Sequence, residues 1–264
     1  MESKKVKNPT TTAIVFDFET GGLDCKKCAA TQLSMHAVRL DTFEVIDTFN
    51  EYIKPYSVPD SMLKPKRKTI RTKYEIEDEE EEKKEAKQME YGQTALDVSG
   101  ITIDLLNAEG KELEDVCSDI INFVHRNNLA GSSRSNKPIL VGQNPLFDIG
   151  FLQQILTFTG KYKDFCKEVS GATDFFGNFQ PYYLDTIALS KLALSHDKTM
   201  VSYKLEIEAE RLGIDLDDAH DADADVTATQ EVMHVLGVRM RNTDGGSTTF
   251  TPIKKEKMRD HFKI

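Results

Sequence analysis

Residues 13–23 read AIVFDFETGGL, an apolar run that ends in two carboxylates and then breaks into a glycine turn. The run favours extended backbone, because Ile, Val and Phe are typical strand residues. Since alternate side chains of a strand share one face, Asp17 and Glu19 project together from the end of this predicted strand. Neighbouring carboxylates repel each other unless a cation lies between them, and a divalent metal ion commonly fills that role. The alternative is a strand that simply ends in solvent, where acids beside a glycine turn are common.

The overall composition is that of a globular protein. The chain has 264 residues, 39% of them hydrophobic, which suffices for one large domain with a substantial core. A net charge of −10 argues against a protein that simply coats nucleic acid, but it is compatible with an acidic site neutralised by metal ions. No stretch is suited to be a signal peptide or to span a bilayer, and four cysteines fit a reducing compartment. We therefore expect a cytoplasmic protein with no membrane partner.

The rest of the pattern predicts an α/β fold. After a strand at 11–18, further strands are predicted at 32–40, 43–54, 138–141 and 182–185, and helices at 111–128, 146–158, 186–195, 203–212 and 222–240. The first three strands follow one another closely and predict an antiparallel meander. The later strands alternate with helices, which predicts a mixed sheet continued by parallel strands and flanked by helices.

Charge divides the chain into parts. Residues 1–10 form a polar arm, residues 11–240 the expected domain, and residues 241–264 a basic tail. A charged insertion is expected at about 61–92, where a basic block is followed by a long acidic run. Because few apolar residues there could anchor a core, we expect this insertion to be part exposed helix and part disorder.

Two further acidic segments lie downstream. Asp148 is expected in the first turn of a helix, and Asn144 precedes it in a position to brace that turn. Asp225 lies in the segment HDADADVTAT at 220–229, which begins with His220. Acids at a helix start complement the helix dipole, which is the structural interpretation of both segments. That interpretation does not explain why His220 precedes Asp225 by five residues.

Together the three acidic segments resemble the motifs of the DEDD superfamily of 3′-to-5′ exonucleases, in its histidine-containing (DEDDh, DnaQ-like) branch. That branch includes the proofreading subunit of bacterial replicative DNA polymerases. The matching residues are DFET at 17–20 with GL at 22–23, NPLFD at 144–148 with FL at 151–152, and HDADADVTAT at 220–229; weaker similarities lie at 99–102 and 184–186. The chain departs from the pattern at Gln143, where many relatives have His, and at Gly21, where Thr is frequent.

The resemblance implies a fold, a site and a reaction. The fold is an RNase H-like mixed sheet of five strands flanked by helices. Four carboxylates would hold two Mg²⁺ or Mn²⁺ ions, namely those of Asp17, Glu19, Asp148 and Asp225. His220 would act as the general base, and the product would be a nucleoside 5′-monophosphate. The residues expected to contact the substrate are Thr20, Gly21, Leu23, Asn144 and Phe151, although a place in the helix core is the simpler interpretation of Phe151.

Several functions remain open at this stage. The leading hypothesis is a metal-dependent exonuclease that shortens DNA, preferably single-stranded, in proofreading, repair or degradation, with or without a separate DNA polymerase as partner. The same chemistry on RNA or short oligoribonucleotides is an alternative, because the motifs do not reveal how the site treats a 2′-hydroxyl. Another alternative is an exonuclease-like binding module that partners a polymerase. Cys25 and Cys28 also have the spacing of half a zinc site, although ordinary loop thiols are the simpler interpretation.

Overall fold

The computed structural model describes residues 10–62, 88–131, 136–214 and 221–241. Within these residues the centre of the molecule is a five-stranded sheet, accompanied by a short two-stranded ribbon. The strands in chain order are β1 (Thr12–Thr20), β2 (Ala30–Arg39), β3 (Val45–Tyr52), β4 (Ile139–Gly142), β5 (Gly171–Thr173), β6 (Phe179–Pro181) and β7 (Tyr183–Asp185). Strands β5 and β6 pair with each other to form the ribbon.

The sheet is mixed, and its spatial order is β3-β2-β1-β4-β7. Strands β1, β2 and β3 form an antiparallel meander, whereas β4 pairs in parallel with both β1 and β7. The predicted sheet, a meander continued by parallel strands, is confirmed. Because β1 is the central strand, its carboxyl end lies between β2 and the loop that follows β4.

Helices cover both faces of the sheet. In chain order they are α1 (Gln93–Ser99), α2 (Ile103–Glu109), α3 (Leu113–Arg126), α4 (Leu146–Phe158), α5 (Tyr162–Glu168), α6 (Thr186–Leu194), α7 (Leu205–Leu212) and α8 (Ala222–Arg241). Side chains of β1 alternate between the two faces: Ile14 and Phe16 enter the core with α3 and α4, while Val15 packs with Val226 of α8. Both sides of β1 are therefore buried, as its continuous apolar run requires. None of the helices in the described ranges is long and apolar enough to cross a membrane.

Long elements agree closely with the sequence predictions, and short ones were missed. Helix α4 has the predicted bounds of 146–158, and α6 and α8 each end within one residue of their predictions. The sequence analysis did not predict α1, α2, α5 or the β5–β6 ribbon. Helices α1, α2 and α5 contain seven residues each, too few to establish a helical period.

The segment at 99–102, weakly similar to the exonuclease pattern, forms the corner between α1 and α2. Gly100 ends α1 with a left-handed φ of 67°, a conformation that glycine adopts without strain. The Thr102 hydroxyl accepts a hydrogen bond of 3.1 Å from the Leu105 N–H and so caps α2.

The expected insertion needs a different C-terminal boundary. Residues 88–92 belong to the packed domain: the Ala29 N–H donates to the Glu90 carbonyl at 3.0 Å, and the Gly92 N–H donates to the Gly21 carbonyl at 2.7 Å. Met89 is buried. The rest of the predicted insertion from residue 63, the polar arm before Thr10 and the tail from residue 242 lie outside the described residues.

Candidate active site

Strand β1 delivers the first two predicted acids to the carboxyl end of the sheet. Asp17 pairs with Ser34 of β2, and Glu19 pairs with Gln32, so both acids lie on the face that α8 covers. Both side chains are half-buried, because the strand continues one residue past Glu19 before the turn begins. As predicted, the two carboxylates therefore project from the same face of β1.

Asp225 joins Asp17 and Glu19 from the first turn of α8. Each of the three acids offers a carboxylate oxygen, and these oxygens lie within 4.8 Å of one another. Carboxylate oxygens are the ligands that Mg²⁺ and Mn²⁺ prefer, so the donor set fits the expected ions. We refer to Asp17, Glu19 and Asp225 as the three-acid cluster.

Asp148 lies beside this cluster without being one of its three members. It occupies the first turn of α4, is 2% exposed, and accepts a hydrogen bond of 3.1 Å from the Phe18 N–H through Oδ1. The bond ties the start of α4 to β1 between Asp17 and Glu19. The fourth predicted carboxylate is thus next to the other three, with its position fixed by the backbone of β1.

The electrostatics of the site favour a bound cation. Burial, followed by the carboxylates around it, raises the pKa of Asp17 well above its ordinary value. Burial raises the pKa of Glu19 to about 8, and Asp225 is the largest contributor among the neighbouring acids. Burial also raises the pKa of Asp148 to about 7, although the Phe18 N–H opposes the rise. Without a cation the site holds protons near neutral pH, and a divalent ion would compensate the same charge.

A row of polar side chains on β2 fixes the beginning of α8. Gln32 Nε2 donates to Asp221 Oδ1 at 3.0 Å, and Ser34 Oγ donates to Asp223 Oδ1 at 2.8 Å. His36 Nε2 lies 3.4 Å from the same Asp223 oxygen. We call Gln32, Ser34 and His36 the β2 clamp.

Sequence reasoning missed the β2 clamp and assigned Asp221 and Asp223 only to the helix dipole. The available signal was the row of three polar residues at alternate positions 32, 34 and 36, between the apolar residues Leu33, Met35 and Ala37. Because the Asp225 N–H donates to the Asp221 carbonyl at 3.0 Å, a clamp on Asp221 also sets the height of Asp225 above the sheet.

The turn after β1 is built by close backbone contacts. Thr20 Oγ1 donates to the Gly22 carbonyl at 2.9 Å, and the Gly21 N–H donates to the Ala29 carbonyl at 2.8 Å. A Cβ atom on Gly21 would lie 2.5 Å from the Glu90 carbonyl oxygen, so only glycine fits there. This contact explains why the chain departs from the family pattern at Gly21. Leu23 ends the turn and is 88% exposed.

The loop between β4 and α4 carries Asn144 in a left-handed conformation, with φ of 57°. Its backbone N–H donates to Asp185 Oδ1 at 3.2 Å, and its side chain is exposed beside the acids' end of the sheet. The preceding residue, Gln143, is tied on both sides: Nε2 donates to the Tyr203 carbonyl at 2.8 Å, and Oε1 accepts a hydrogen bond from the Thr186 hydroxyl. Gln143, the second position at which the chain differs from the exonuclease motifs, is therefore held in place by hydrogen bonds at both ends of its amide group.

Of the remaining predicted site residues, one is buried in the core and one lies outside the described residues. Phe151 is fully buried and packs against Phe18 and Phe147, with ring centroids 6.4 and 5.1 Å apart. It has no surface for a nucleotide, so its expected substrate contact is corrected to a place in the core. His220 lies outside the described residues, one position before Asp221.

Known structures share the architecture of this chain. E. coli exonuclease I in complex with a dT13 oligonucleotide superposes with a TM-score of 0.57, 17% sequence identity and coverage of 88% of this chain and 42% of that chain. An exonuclease I from Methylocaldum szegediense gives a TM-score of 0.56, 18% identity and coverage of 88% and 41%. In sequence, a PolC-type DNA polymerase III from Clostridium perfringens is 23% identical over 228 residues, which are 86% of this chain and 11% of that protein. No protein-family model matches the chain.

These comparisons establish the fold. The predicted RNase H-like sheet, and the resemblance to DnaQ-like exonucleases on which it rested, are confirmed at the level of architecture. The chain spans less than half of the exonuclease I chains and about a tenth of the PolC-type polymerase.

Proposed function

We propose that the chain is a metal-dependent 3′-to-5′ exonuclease that removes nucleoside 5′-monophosphates from the 3′ end of DNA. The observation that carries this proposal is the convergence of Asp17, Glu19 and Asp225 within 4.8 Å at the end of an exonuclease I-like sheet. Three acids from two distant parts of the chain, β1 and α8, meet there although their charges repel. Such an arrangement is costly to stability without a ligand and is typical of a functional site.

Two divalent ions are proposed, held by the three-acid cluster and Asp148. When bound, Mg²⁺ or Mn²⁺ supplies an activated water and stabilises the charge of the leaving 3′ oxygen. The carboxylate oxygens of Asp17, Glu19 and Asp225 lie within 4.8 Å of one another and would provide ligands. Asp148 is held rigidly by the Phe18 N–H, so it can contribute a ligand without rearranging.

His220 is proposed as the general base. Its support is the sequence motif and its position next to Asp221, whose side chain is bound by Gln32 at the edge of the three-acid cluster. Because imidazole titrates near neutral pH, it suits the removal of a proton from an attacking water.

The terminal nucleotide is proposed to lie on the turn at residues 20–23, with Asn144 at the opposite edge. Leu23 presents an apolar side chain to solvent, which suits the face of an unpaired base. Single-stranded DNA is the preferred substrate in this proposal, and the solved complexes of E. coli exonuclease I with dT13 and dA16 oligonucleotides support it by analogy. The match to a PolC-type polymerase supports a separate polymerase as a partner, and the free cysteines of the chain fit action in the cytoplasm.

The proposal is tested with 5′-labelled single-stranded DNA and RNA of matched sequence, incubated with Mg²⁺, Mn²⁺ or EDTA. We expect a ladder that shortens from the 3′ end, faster on DNA than on RNA, and that is abolished by EDTA and by Asp17→Asn. A faster reaction on RNA would redirect the proposal to an exoribonuclease. A folded wild-type protein that shortens neither strand would leave a binding module as the surviving explanation.

A further inference from the structure

A pocket of about 590 Å³ opens beside the three-acid cluster. Asp225 forms one side of it, and the start of α6, the segment before α7 and the loop after β4 form the others. The pocket lining includes Gln143, Lys191, Tyr203, Lys204 and Asp225.

The pocket carries two exposed ammonium groups. Neither Lys191 nor Lys204 forms an ion pair with any residue of the described ranges, and both are exposed. The lining also holds the carboxylates of Glu206 and Asp225, and a metal ion bound by Asp225 would leave Glu206 as the uncompensated acid of the lining. In a chain with a net charge of −10, the pocket is thus a surface that places two exposed ammonium groups directly beside the acids.

Aromatic and backbone contacts hold this surface in place. Lys191 Nζ lies 5.6 Å from the centroid of the Tyr203 ring, a cation–π contact that keeps the ammonium group over the pocket. The Tyr203 carbonyl in turn accepts the 2.8 Å hydrogen bond from Gln143, whose neighbour is Asn144. The lysines are therefore connected to the loop that leads into Asp148.

The pocket and the turn at residues 20–23 are joined through the acids. Glu19 immediately precedes the turn, Asp225 lines the pocket, and their carboxylate oxygens lie within 4.8 Å of each other. A strand with its terminal nucleotide on the turn and its reacting phosphate at the acids can therefore continue into the pocket. Its next phosphates would meet the two lysines.

We propose that this pocket binds internal phosphodiesters of the substrate strand, on the 5′ side of the bond that is cleaved, through Lys191 and Lys204. The inference rests on the proposed exonuclease function and adds to it a binding subsite. The expected ligand is a single nucleic acid strand, because its backbone phosphates complement the ammonium groups and no base-specific group is required.

The test compares a substrate that has an upstream strand with one that has none. The variants are Lys191→Gln, Lys204→Gln and the double variant, with Lys163→Gln as control, since Lys163 is an exposed lysine of α5 that lines a different pocket. The substrates are a single-stranded DNA oligonucleotide and thymidine 5′-(p-nitrophenyl phosphate). Thermal melting of every variant establishes that the fold is retained.

We expect the double variant to raise KM for the oligonucleotide by about tenfold. The slope of the logarithm of its binding constant against the logarithm of salt concentration should become shallower by about 0.7 for each lost phosphate contact. Hydrolysis of the p-nitrophenyl ester should remain at the wild-type rate, as should both reactions of Lys163→Gln. Equal losses on both substrates, or no loss on either, would overturn the subsite while the exonuclease proposal stands. If wild-type protein cleaves neither substrate, the exonuclease proposal fails and the subsite fails with it.

Discussion

At the scale of single residues, the site combines burial with repulsion. Asp17 and Glu19 are each half-buried beside two further carboxylates, and the pKa of each is raised for that reason. Such a cluster lowers the stability of the metal-free protein whenever all its members are ionised. A bound divalent cation attracts these carboxylates, so the cluster then stabilises the protein instead of destabilising it. The proposed function and the metal-dependent stability therefore arise from the same groups.

Glu19→Gln should therefore stabilise the metal-free protein and inactivate it. The pKa of Glu19 is about 8 in the folded protein and 4.5 in an unfolded chain, so the wild type loses stability as pH rises between these values. In EDTA at about pH 8 we expect the variant to be more stable by about 1–2 kcal/mol, after allowance for solvent screening, and the gain to vanish near pH 4.5. Activity with Mg²⁺ should fall by about 10³-fold or more.

Thermal melting with EDTA and with Mg²⁺, across a pH series, checks both parts of this prediction. Mg²⁺ should raise the melting temperature of the wild type much more than that of Glu19→Gln. A variant that is less stable than wild type in EDTA at high pH would contradict the assigned repulsion.

Glu208 provides a second titration outside the acidic cluster. Its carboxyl is fully buried on α7, and burial raises its pKa to about 7, although the Ser190 hydroxyl and the Gln143 amide oppose the rise. We expect the folded protein to lose stability between about pH 4.5 and pH 7, because the unfolded chain releases this proton at a lower pH than the folded protein does. Glu208→Gln should gain about 1 kcal/mol over wild type above this range and nothing below it. A gain of equal size at all pH values would assign the effect to packing.

The residue scale is where sequence prediction was most and least successful. The spacing of Asp17 and Glu19 on one strand is a local property, so the sequence predicted their common projection. The apolar pattern of the predicted helix at 146–158 also indicated that Phe151 is buried, and the expected substrate contact conflicted with that pattern. The partners of Gln143, on α6 and before α7, were not foreseen, because they lie far from it in sequence.

At the scale of elements, the geometry of the site depends on how β1, α4 and α8 are attached to one another. Helix α4 is attached by the bond between Phe18 and Asp148, and α8 by the β2 clamp. The predicted helix at 146–158 was accurate because thirteen largely apolar residues follow a strand and a turn. The contact of 88–92 with the β1 turn was not predicted, because it joins residues far apart in sequence.

Ser34→Ala tests the β2 clamp. Removing the hydroxyl leaves Asp223 without its 2.8 Å donor, so we expect a loss of about 1 kcal/mol in the free energy of unfolding. Since the clamp sets the height of α8, the Mg²⁺ concentration for half-maximal activity should rise by about three- to tenfold. Thr48→Ala, at an exposed position of β3, is the control. An unchanged metal requirement in Ser34→Ala would show that Asp225 is positioned by other contacts.

Gly21→Ala tests the turn that is proposed to hold the terminal nucleotide. The added Cβ would lie 2.5 Å from the Glu90 carbonyl oxygen, so the turn or the segment at 88–92 must move. We expect a destabilisation of about 1–3 kcal/mol and a higher KM for DNA. Gly92→Ala should act in the same direction, because its Cβ would lie 2.9 Å from the Gly21 carbonyl oxygen. Wild-type melting temperature and KM in both variants would contradict this role of the turn.

At the scale of the whole molecule, the sheet brings together acids from three separate segments. The central position of β1 places Asp17 and Glu19 between the start of α4 and the start of α8, so that carboxylates from opposite ends of the chain meet. The order of the motifs and their family resemblance predicted this assembly. Their geometry required the packed structure, because side-chain distances depend on long-range packing of helices against the sheet.

The most direct test of the central claim is the product released from uniformly labelled single-stranded DNA at the earliest times, with Mg²⁺ and with EDTA, by wild type and by Asp225→Asn. A metal-dependent exonuclease centre at the three-acid cluster predicts nucleoside 5′-monophosphate as the first product, none in EDTA, and none from the variant. Oligonucleotide fragments as first products, release in EDTA, or undiminished release by Asp225→Asn would contradict the account.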